Sequence, residues 1–188
     1  MNKDIVLGID GGLAHLGWSF SEIYQNTISV ISLGVIETKK SDKKKKIRQS
    51  DDDIRRAKEL TYELDCIIKN VIKKGYKVRA ICMENMSFMR NASNAAKLKM
   101  SHGIIAAFSH FLDLPIIGID PKDMKKKVTG SESSSKEEVE DALKDKLGIS
   151  FQKQVEEIKP ALREHCVDAV GVIYGCLDSD VLTFLRKG

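Results

Sequence analysis

The chain has 188 residues, of which 42% are hydrophobic and 31% charged, and its formal net charge is +4. This length is typical of one domain with a sizeable core, and no apolar stretch reaches the roughly 20 residues that span a bilayer. The N-terminus "MNKDIVLG" lacks the pattern of a signal peptide, so we expect a cytoplasmic protein with no membrane partner.

The first half of the chain predicts three antiparallel strands, a helix and a fourth strand. A continuous apolar run ending at Asp10 suits a central strand, and two segments rich in β-branched and aromatic residues follow it around the polar pair Gln25-Asn26. A long apolar stripe at helical spacing predicts a helix with Ser50 as its N-cap and Gly75 at its end. The predicted strands are residues 5–10, 15–24, 27–38 and 78–83.

The second half alternates helices and a strand. The pair Ser135 and Glu138 forms a capping-box pattern, and Gly148 is the expected end of the helix that follows it. Pro160 suits the first turn of a last helix, which we expect to run to residue 177. The other predicted elements are a helix at 93–112, a strand at 115–119 and a short helix at 123–128. Three strands and then alternating helices and strands predict a single α/β domain over residues 1–188, with a mixed five-stranded sheet flanked by helices.

Two basic runs stand out against this pattern. They are "KKSDKKKKIR" at residues 39–48, within a basic loop at 39–50, and "KDMKKK" at residues 122–127. A single lysine run is typical of a solvated loop. Two runs that flank strand ends favour a polyanionic partner.

The cysteine pattern predicts thiols rather than disulfides or a zinc site. The four cysteines show no CxxC spacing, and each lies in an apolar periodic segment, so we expect reduced core thiols. They are Cys66, Cys82, Cys166 and Cys176.

Four polar residues occupy positions where apolar residues are expected. Asp10 ends the first strand and Glu84 the fourth, and "REHCVDAVG" puts His165 and Asp168 on one face of the last helix. Taken singly, each fits a structural role: a turn cap, an exposed acid, a hydrogen-bonded core histidine, an acid bonded to nearby backbone. Together they could all reach one side of the sheet, where three carboxylates would repel each other. Two Mg²⁺ or Mn²⁺ ions would relieve that repulsion, and such a pair suits phosphoryl displacement.

The glycines after the first acid fit the same picture. Gly11 and Gly12 permit a sharp turn and the close approach of a phosphate. We expect Gly17 to let the neighbouring strand pass close by.

Over nearly its whole length the chain resembles the RuvC-type Holliday junction resolvases of the ribonuclease H-like superfamily. "GIDGGLAHLGWS" looks like the family's first strand and turn, with Asp10 as the first acid and Gly11 in place of the usual proline. "MENMSFMRNASNAAKLKMSHG" is similar to the segment that carries the second acid, here Glu84. "HCVDAVGVIYG" looks like the closing helix, with Asp168 as the final acid and His165 where many members have aspartate.

This resemblance implies a ribonuclease H-like fold and an endodeoxyribonuclease that resolves four-way junctions by paired phosphodiester hydrolysis, leaving 5′-phosphate ends. It implies that Asp10, Glu84, His165 and Asp168 are catalytic and hold two Mg²⁺ ions, for which Mn²⁺ would substitute. "KKKVTGSESSSKEEVEDALKDKLGI" looks like the family's basic segment. The predicted DNA contacts are Phe88, Arg90, Lys122, Lys125, Lys126, Lys127 and Lys136. Phe88 stands one position after the family's wedge aromatic, at which this chain has Ser87, so a base wedge and a buried anchor both remain open.

The resemblance also implies a homodimer. In the family the helix after the second acid makes the dimer contact, and the small residues of helix 93–112 fit that role or pack on the chain's own sheet. They are Ala95, Ala96, Gly103, Ala106 and Ala107.

Two alternative functions remain at this point. One is a less selective nuclease for branched DNA, favoured by the lysine-rich loop. The other is a non-nuclease actin-like ATPase or DNA-binding module, against which stand the short chain and the lack of a second glycine-rich phosphate loop. The sequence specifies neither a cleavage consensus nor whether the host is a virus, a bacterium or an organelle.

Overall fold

The computed structural model describes residues 3–42, 44, 46–85 and 91–187. The strands are β1 Lys3–Asp10, β2 His15–Ile23, β3 Ile28–Glu37, β4 Tyr76–Glu84 and β5 Ile116–Ile119. The helices are α1 Gln49–Lys73, α2 Ala92–Leu112, α3 Pro121–Thr129, α4 Lys136–Glu156, α5 Arg163–Gly175 and α6 Asp180–Lys187, with a 3₁₀ turn at Pro160–Leu162 before α5.

The five strands form one mixed sheet in the order β3-β2-β1-β4-β5. The meander β1–β2–β3 is antiparallel, whereas β4 runs parallel to β1 and β5 runs parallel to β4. The predicted mixed five-stranded sheet is therefore confirmed. Because β1 and β4 are parallel neighbours, their carboxyl ends lie side by side at the same edge of the sheet.

Alternation along β1 divides the core into two layers. Ile5, Leu7 and Ile9 pack with α1 and α2 on one face. Val6 belongs to the opposite layer, which is covered by α3, α4, α5 and α6. Since successive strand residues point to opposite faces, Asp10 shares the face of Val6 and points toward α5.

Helix α5 packs directly on the backbone of β1 and β2. A Cβ atom added to Gly17 would overlap the carbonyl oxygen of His165, and one added to Gly8 would overlap that of Ala169. The Ser19 hydroxyl also donates to the Ala169 carbonyl, at 3.0 Å. The expectation that Gly17 makes room for a strand was wrong, because the element that approaches it is α5.

The predicted helix ends have mixed outcomes. α1 has Arg48 as its N-cap, and Ser50 lies within the first turn. Gly148, at φ 75° and ψ −167°, interrupts the regular helix where its end was expected, and α4 resumes beyond this kink, where Phe151 and Val155 are buried in the core. The last predicted helix ends at Gly175, two residues before the expected end, and α6, which follows it, was not predicted.

Other expectations from composition have mixed outcomes. Cys82, Cys166 and Cys176 are buried and free, as expected, but Cys66 is exposed on α1. It lies outside the buried stripe of that helix, which includes Leu64. Within the described residues, no helix has the length and hydropathy needed to cross a bilayer.

Candidate active site

Three elements bring the four predicted site residues together. Asp10 and Glu84 are the last residues of β1 and β4. The pairing of Ile9 with Met83 puts these ends in register. His165 and Asp168 lie one turn apart near the start of α5, on the face packed against the sheet.

These side chains line one cavity of about 320 Å³. Lys125 from α3 and Lys136 from the first turn of α4 also line it. Its remaining walls are formed by Pro121, Met124 and Val139. The cavity thus combines three carboxyl groups, one imidazole and two ammonium groups within a partly apolar wall.

A hydrogen bond ties β1 to α5 inside the cavity. Nδ1 of His165 lies 2.7 Å from Oδ2 of Asp10, and both side chains are about one-fifth exposed, at 22% and 20%. This hydrogen bond raises the pKa of His165 above its ordinary value, although burial acts in the opposite direction. The Nε2 atom of His165 lies 3.8 Å from Oε1 of Glu164. The imidazole is therefore placed between two carboxylates and is favoured in its protonated form.

The other two carboxyl groups are destabilised in their charged form. Burial, and then the negative charges of Asp10 and Asp168, raise the pKa of Glu84 to about 7. Burial, and then Asp10, raise the pKa of Asp168 to about 7 as well. The charged forms of Glu84 and Asp168 are thus disfavoured by burial and by mutual repulsion of the carboxylates, and a bound divalent cation would stabilise them.

The donor set fits hard divalent cations. Carboxylate oxygens are the ligands preferred by Mg²⁺ and Mn²⁺. In the described part of the chain no three His, Cys, Asp or Glu side chains converge as a ready-made metal-binding group. The acids therefore line a cavity instead of closing on one point.

The predicted DNA-binding lysines separate into two groups. Lys125 donates to the Ser134 carbonyl at 2.6 Å and Lys136 pairs with Glu164 at 2.7 Å, and both line the cavity. Outside it, Lys126 pairs with Glu132 at 2.9 Å and Lys127 with Asp178 at 3.3 Å. Lys122 is exposed and does not line the cavity either. Phe88 and Arg90 lie outside the described residues.

Two histidines that sequence reasoning missed also lie at the site. The ring centroid of His15 is 5.1 Å from that of His165. The ring nitrogens of His102 lie 3.0 Å from the Leu98 carbonyl and 3.2 Å from the Glu84 carbonyl, linking α2 to the end of β4. Three of the chain's four histidines therefore surround the acids. In the sequence, the only indication of this arrangement is that these histidines lie within the segments that carry the acids.

The strand order, with acids at the ends of β1 and β4 and on α5, defines a protein of the ribonuclease H-like class. A family model described as crossover junction endodeoxyribonuclease RuvC matches residues 6–167. The chain therefore belongs to the RuvC family, and the resemblance inferred from its motifs is confirmed.

Curated relatives agree with this assignment. The chain is 29% identical over 145 residues to the crossover junction endodeoxyribonuclease RuvC of Pseudothermotoga lettingae. The alignment covers 77% of this chain and 81% of the relative. The chain is also 29% identical over 155 residues to the Campylobacter lari protein of the same name, covering 82% and 85%.

Solved structures share the fold. Thermus thermophilus RuvC in complex with a Holliday junction superposes with a TM-score of 0.71 at 19% identity, covering 98% of this chain and 96% of that one. The yeast mitochondrial Holliday junction resolvase gives a TM-score of 0.57 at 12% identity, covering 99% and 83%. The ribonuclease H-like fold predicted from the sequence is confirmed.

Proposed function

We propose that this chain is a divalent-metal-dependent endodeoxyribonuclease that resolves Holliday junctions. The observation that carries the proposal is the single cavity in which Asp10, Glu84, His165 and Asp168 meet, with Lys125 and Lys136 beside them. The family match and the names of the relatives support the same activity. They give no support to the actin-like ATPase alternative.

We infer that the four residues hold two Mg²⁺ ions, for which Mn²⁺ would substitute. When bound, the metals supply an activated water and stabilise the departing 3′ oxygen, which leaves a 5′-phosphate. The raised pKa of Glu84 and of Asp168 supports this inference, because burial and repulsion between the carboxylates disfavour their charged forms and a bound cation would stabilise them.

The chain's own side chains orient the reacting groups. Nδ1 of His165 holds Oδ2 of Asp10, which fixes the carboxylate at the end of β1. Lys136 is held by Glu164 at the cavity wall, so its ammonium group stays beside the position of the scissile phosphate. The apolar side chains of Met124 and Val139 exclude water from the opposite wall.

Paired cleavage of a two-fold symmetric junction calls for two active sites, and we propose a homodimer formed through α2. The face of α2 beside α1 is open: Phe111 is 81% exposed and Tyr62 on α1 is 66% exposed. Together the two helices border an apolar groove of about 700 Å³. Gly103, Ala106 and Ala107 are exposed on α2, so these small residues do not pack on the chain's own sheet. Their exposure supports a contact with a second copy.

A less selective branched-DNA nuclease is the second candidate function, because a run of lysines before α1 favours contacts with backbone phosphates, which do not depend on DNA sequence. We place either activity in the cytoplasm of a bacterial or virus-infected cell or in an organelle.

Labelled four-way junctions, flaps and linear duplexes, incubated with and without Mg²⁺, test the proposal. We expect Mg²⁺-dependent, symmetrically paired nicks in junctions and little cleavage of duplex. Equal cleavage of flaps and junctions would favour the less selective nuclease. Cleavage that persists after removal of all divalent cations by a chelator would overturn the metal assignment.

A further inference from the structure

The loop between β3 and α1, residues 38–48, is fixed at its root beside the active site. Thr38 is buried; its backbone N–H donates to the Ala14 carbonyl at 2.9 Å and its hydroxyl donates to the Leu13 carbonyl. Arg56, only 2% exposed, donates from Nε to the Thr38 hydroxyl at 3.0 Å. A buried polar network therefore joins the β3–α1 loop to the turn that follows β1.

A second set of hydrogen bonds fixes the loop at Ser41. The backbone N–H and the hydroxyl of Ser41 both donate to the carboxylate of Asp52, and the hydroxyl bond is 2.6 Å long. Arg55 donates to the same carboxylate at 2.9 Å and also to the Lys39 carbonyl. Because these bonds and the Arg55 guanidinium satisfy Asp52 locally, its carboxylate is not available to neutralise the loop's lysines.

The described residues of the β3–α1 loop present positive charge that no ion pair among them neutralises. Its described basic residues are all exposed, and none forms an ion pair within 4.0 Å of another described residue. They are Lys39, Lys40, Lys44, Lys46 and Arg48. By contrast, Lys126 and Lys127 are each paired with an acid of the same chain. Lysines without an internal partner are those free to release DNA counterions.

A groove beside the catalytic cavity runs along the turn to which the root of this loop is hydrogen-bonded. It has a volume of about 260 Å³ and is lined by the turn at residues 11–15, by Asn94, Lys97 and Leu98 of α2, and by His165. His165 lines both this groove and the catalytic cavity. At the other end, Leu13 and Ala14 supply the carbonyl groups that anchor Thr38.

We propose that the β3–α1 loop binds the phosphate backbone of the DNA arm next to the cleaved phosphodiester, with the groove along residues 11–15 leading the strand from the cavity to the loop. This inference rests on the proposed function. The fixed root gives the lysines a defined position relative to the acids, so they contact particular phosphates of that arm instead of attracting DNA from any direction.

The test compares two triple variants that lose the same charge. Lys39→Gln, Lys40→Gln and Lys44→Gln together remove charge from the loop. Lys73→Gln, Lys74→Gln and Lys77→Gln remove it from exposed positions at the opposite end of the sheet, about 25 Å away for a strand of this length. Junction affinity is measured over a range of salt concentrations, and cleavage is measured in single turnover at saturating protein.

We expect the loop variant to lower the slope of log affinity against log salt by about one to three units and to weaken binding about tenfold or more at moderate salt. Its cleavage rate at saturation should stay within about twofold of the wild type, because the loop does not touch the reacting atoms. The control variant should leave both the slope and the rate unchanged. Equal losses in the two variants, or an unchanged slope in the loop variant, would overturn the inference.

Methylphosphonate substitution of single phosphates locates the contact. In the wild type, neutralising phosphates of the arm beside the cut should weaken binding, and the loop variant should lose this sensitivity. Sensitivity at the same phosphates in the loop variant would also overturn the inference. A wild type that binds junctions with this loop-dependent salt slope but never cleaves them would instead overturn the proposed function.

Discussion

The Oδ2 atom of Asp10 lies 2.7 Å from Nδ1 of His165, so the last residue of β1 is hydrogen-bonded to the first turns of α5. The bond links residues that are 155 positions apart in the chain. The Asp10 carboxylate raises the pKa of the imidazole, which favours a positive charge in a cavity lined by three acids. This histidine therefore helps to hold Asp10 in the site and also contributes to the charge of the site.

His165→Asp should keep nicking activity, and His165→Ala should lose it by roughly 10–100-fold, the usual range for groups that orient or complete a metal site. Aspartate supplies a further oxygen ligand in the same place, whereas alanine leaves Asp10 without its partner. Single-turnover nicking of a junction measures both. His110→Ala, an exposed position on α2, is the control. Native activity in His165→Ala would make the histidine merely structural.

The stability of the metal-free protein should fall as pH rises. Glu84 and Asp168 have a pKa near 7 in the folded chain, above their ordinary values, so the folded state binds more protons than the unfolded state between about pH 4 and pH 7. The stability that these two groups contribute is complete at a pH below their pKa in the unfolded chain. It is lost as the pH rises through their pKa in the folded chain. The raised pKa of His165 acts with the same sign. The Tm of the metal-free protein should therefore fall by several degrees as the pH rises through this range, since 1 kcal/mol corresponds to about 2–4 °C in a chain of this size.

Mg²⁺ should reverse this loss, because it binds the deprotonated carboxylates. Its stabilising effect should be larger at about pH 8 than at about pH 5.5. Glu84→Gln removes one of the titrating groups and should flatten the pH dependence. A pH profile that is the same in this variant and the wild type would show that Glu84 is not the group responsible.

Gly17→Ala should destabilise the chain by about 1–3 kcal/mol or more, because the new methyl group would meet the carbonyl oxygen of His165 and push α5 away from β2. The same displacement would separate His165 from Asp10, so activity should fall as well. Gly103→Ala is the matched control: no atom lies within 4 Å of its added Cβ, and alanine favours a helix by about 0.5–1 kcal/mol. Denaturant unfolding that ranks the two variants in the opposite order would contradict the packing described for α5.

Much of this fold is readable in the sequence because its signals are local. The capping box is an example: the Ser135 hydroxyl accepts from the Glu138 N–H at 3.1 Å, and the Glu138 carboxylate accepts from the Ser135 N–H at 2.7 Å. The acids were recognisable because each interrupts an apolar strand or helix face. Their meeting at one cavity follows from the parallel pairing of β1 with β4.

Other features depend on tertiary packing. Burial of Met124 and Val128 sets the rotation of α3, and this rotation turns Lys125 toward the cavity and Lys126 and Lys127 away from it. The contact of His15 with His165 depends in the same way on where α5 crosses β2. Such relationships join residues far apart in the chain, so no local pattern predicts them.

Ala107→Glu should dissociate the proposed homodimer. Ala107 is exposed on α2 and lines the apolar groove beside α1, where a carboxylate would be desolvated by a second copy. Asn70→Glu, an exposed position on α1 outside the groove, is the control and should remain dimeric. Light scattering gives the masses. A wild type that is monomeric at micromolar concentration and binds a junction as one chain per site would contradict the paired-nick proposal.

We expect the acids of the cavity to catalyse junction cleavage without supplying the affinity for DNA, and cleavage and binding measured on the same variants separate the two. Nicking and gel-shift affinity for a four-way junction are measured together for Asp10→Asn, Glu84→Gln and Asp168→Asn, with Asp123→Asn, an exposed acid on α3, as the control. Each of the three variants should lose cleavage and keep junction binding, because phosphate contacts from lysines dominate affinity, while the control should keep both. An Asp168→Asn enzyme that nicks junctions at the native rate would contradict the assignment of the site.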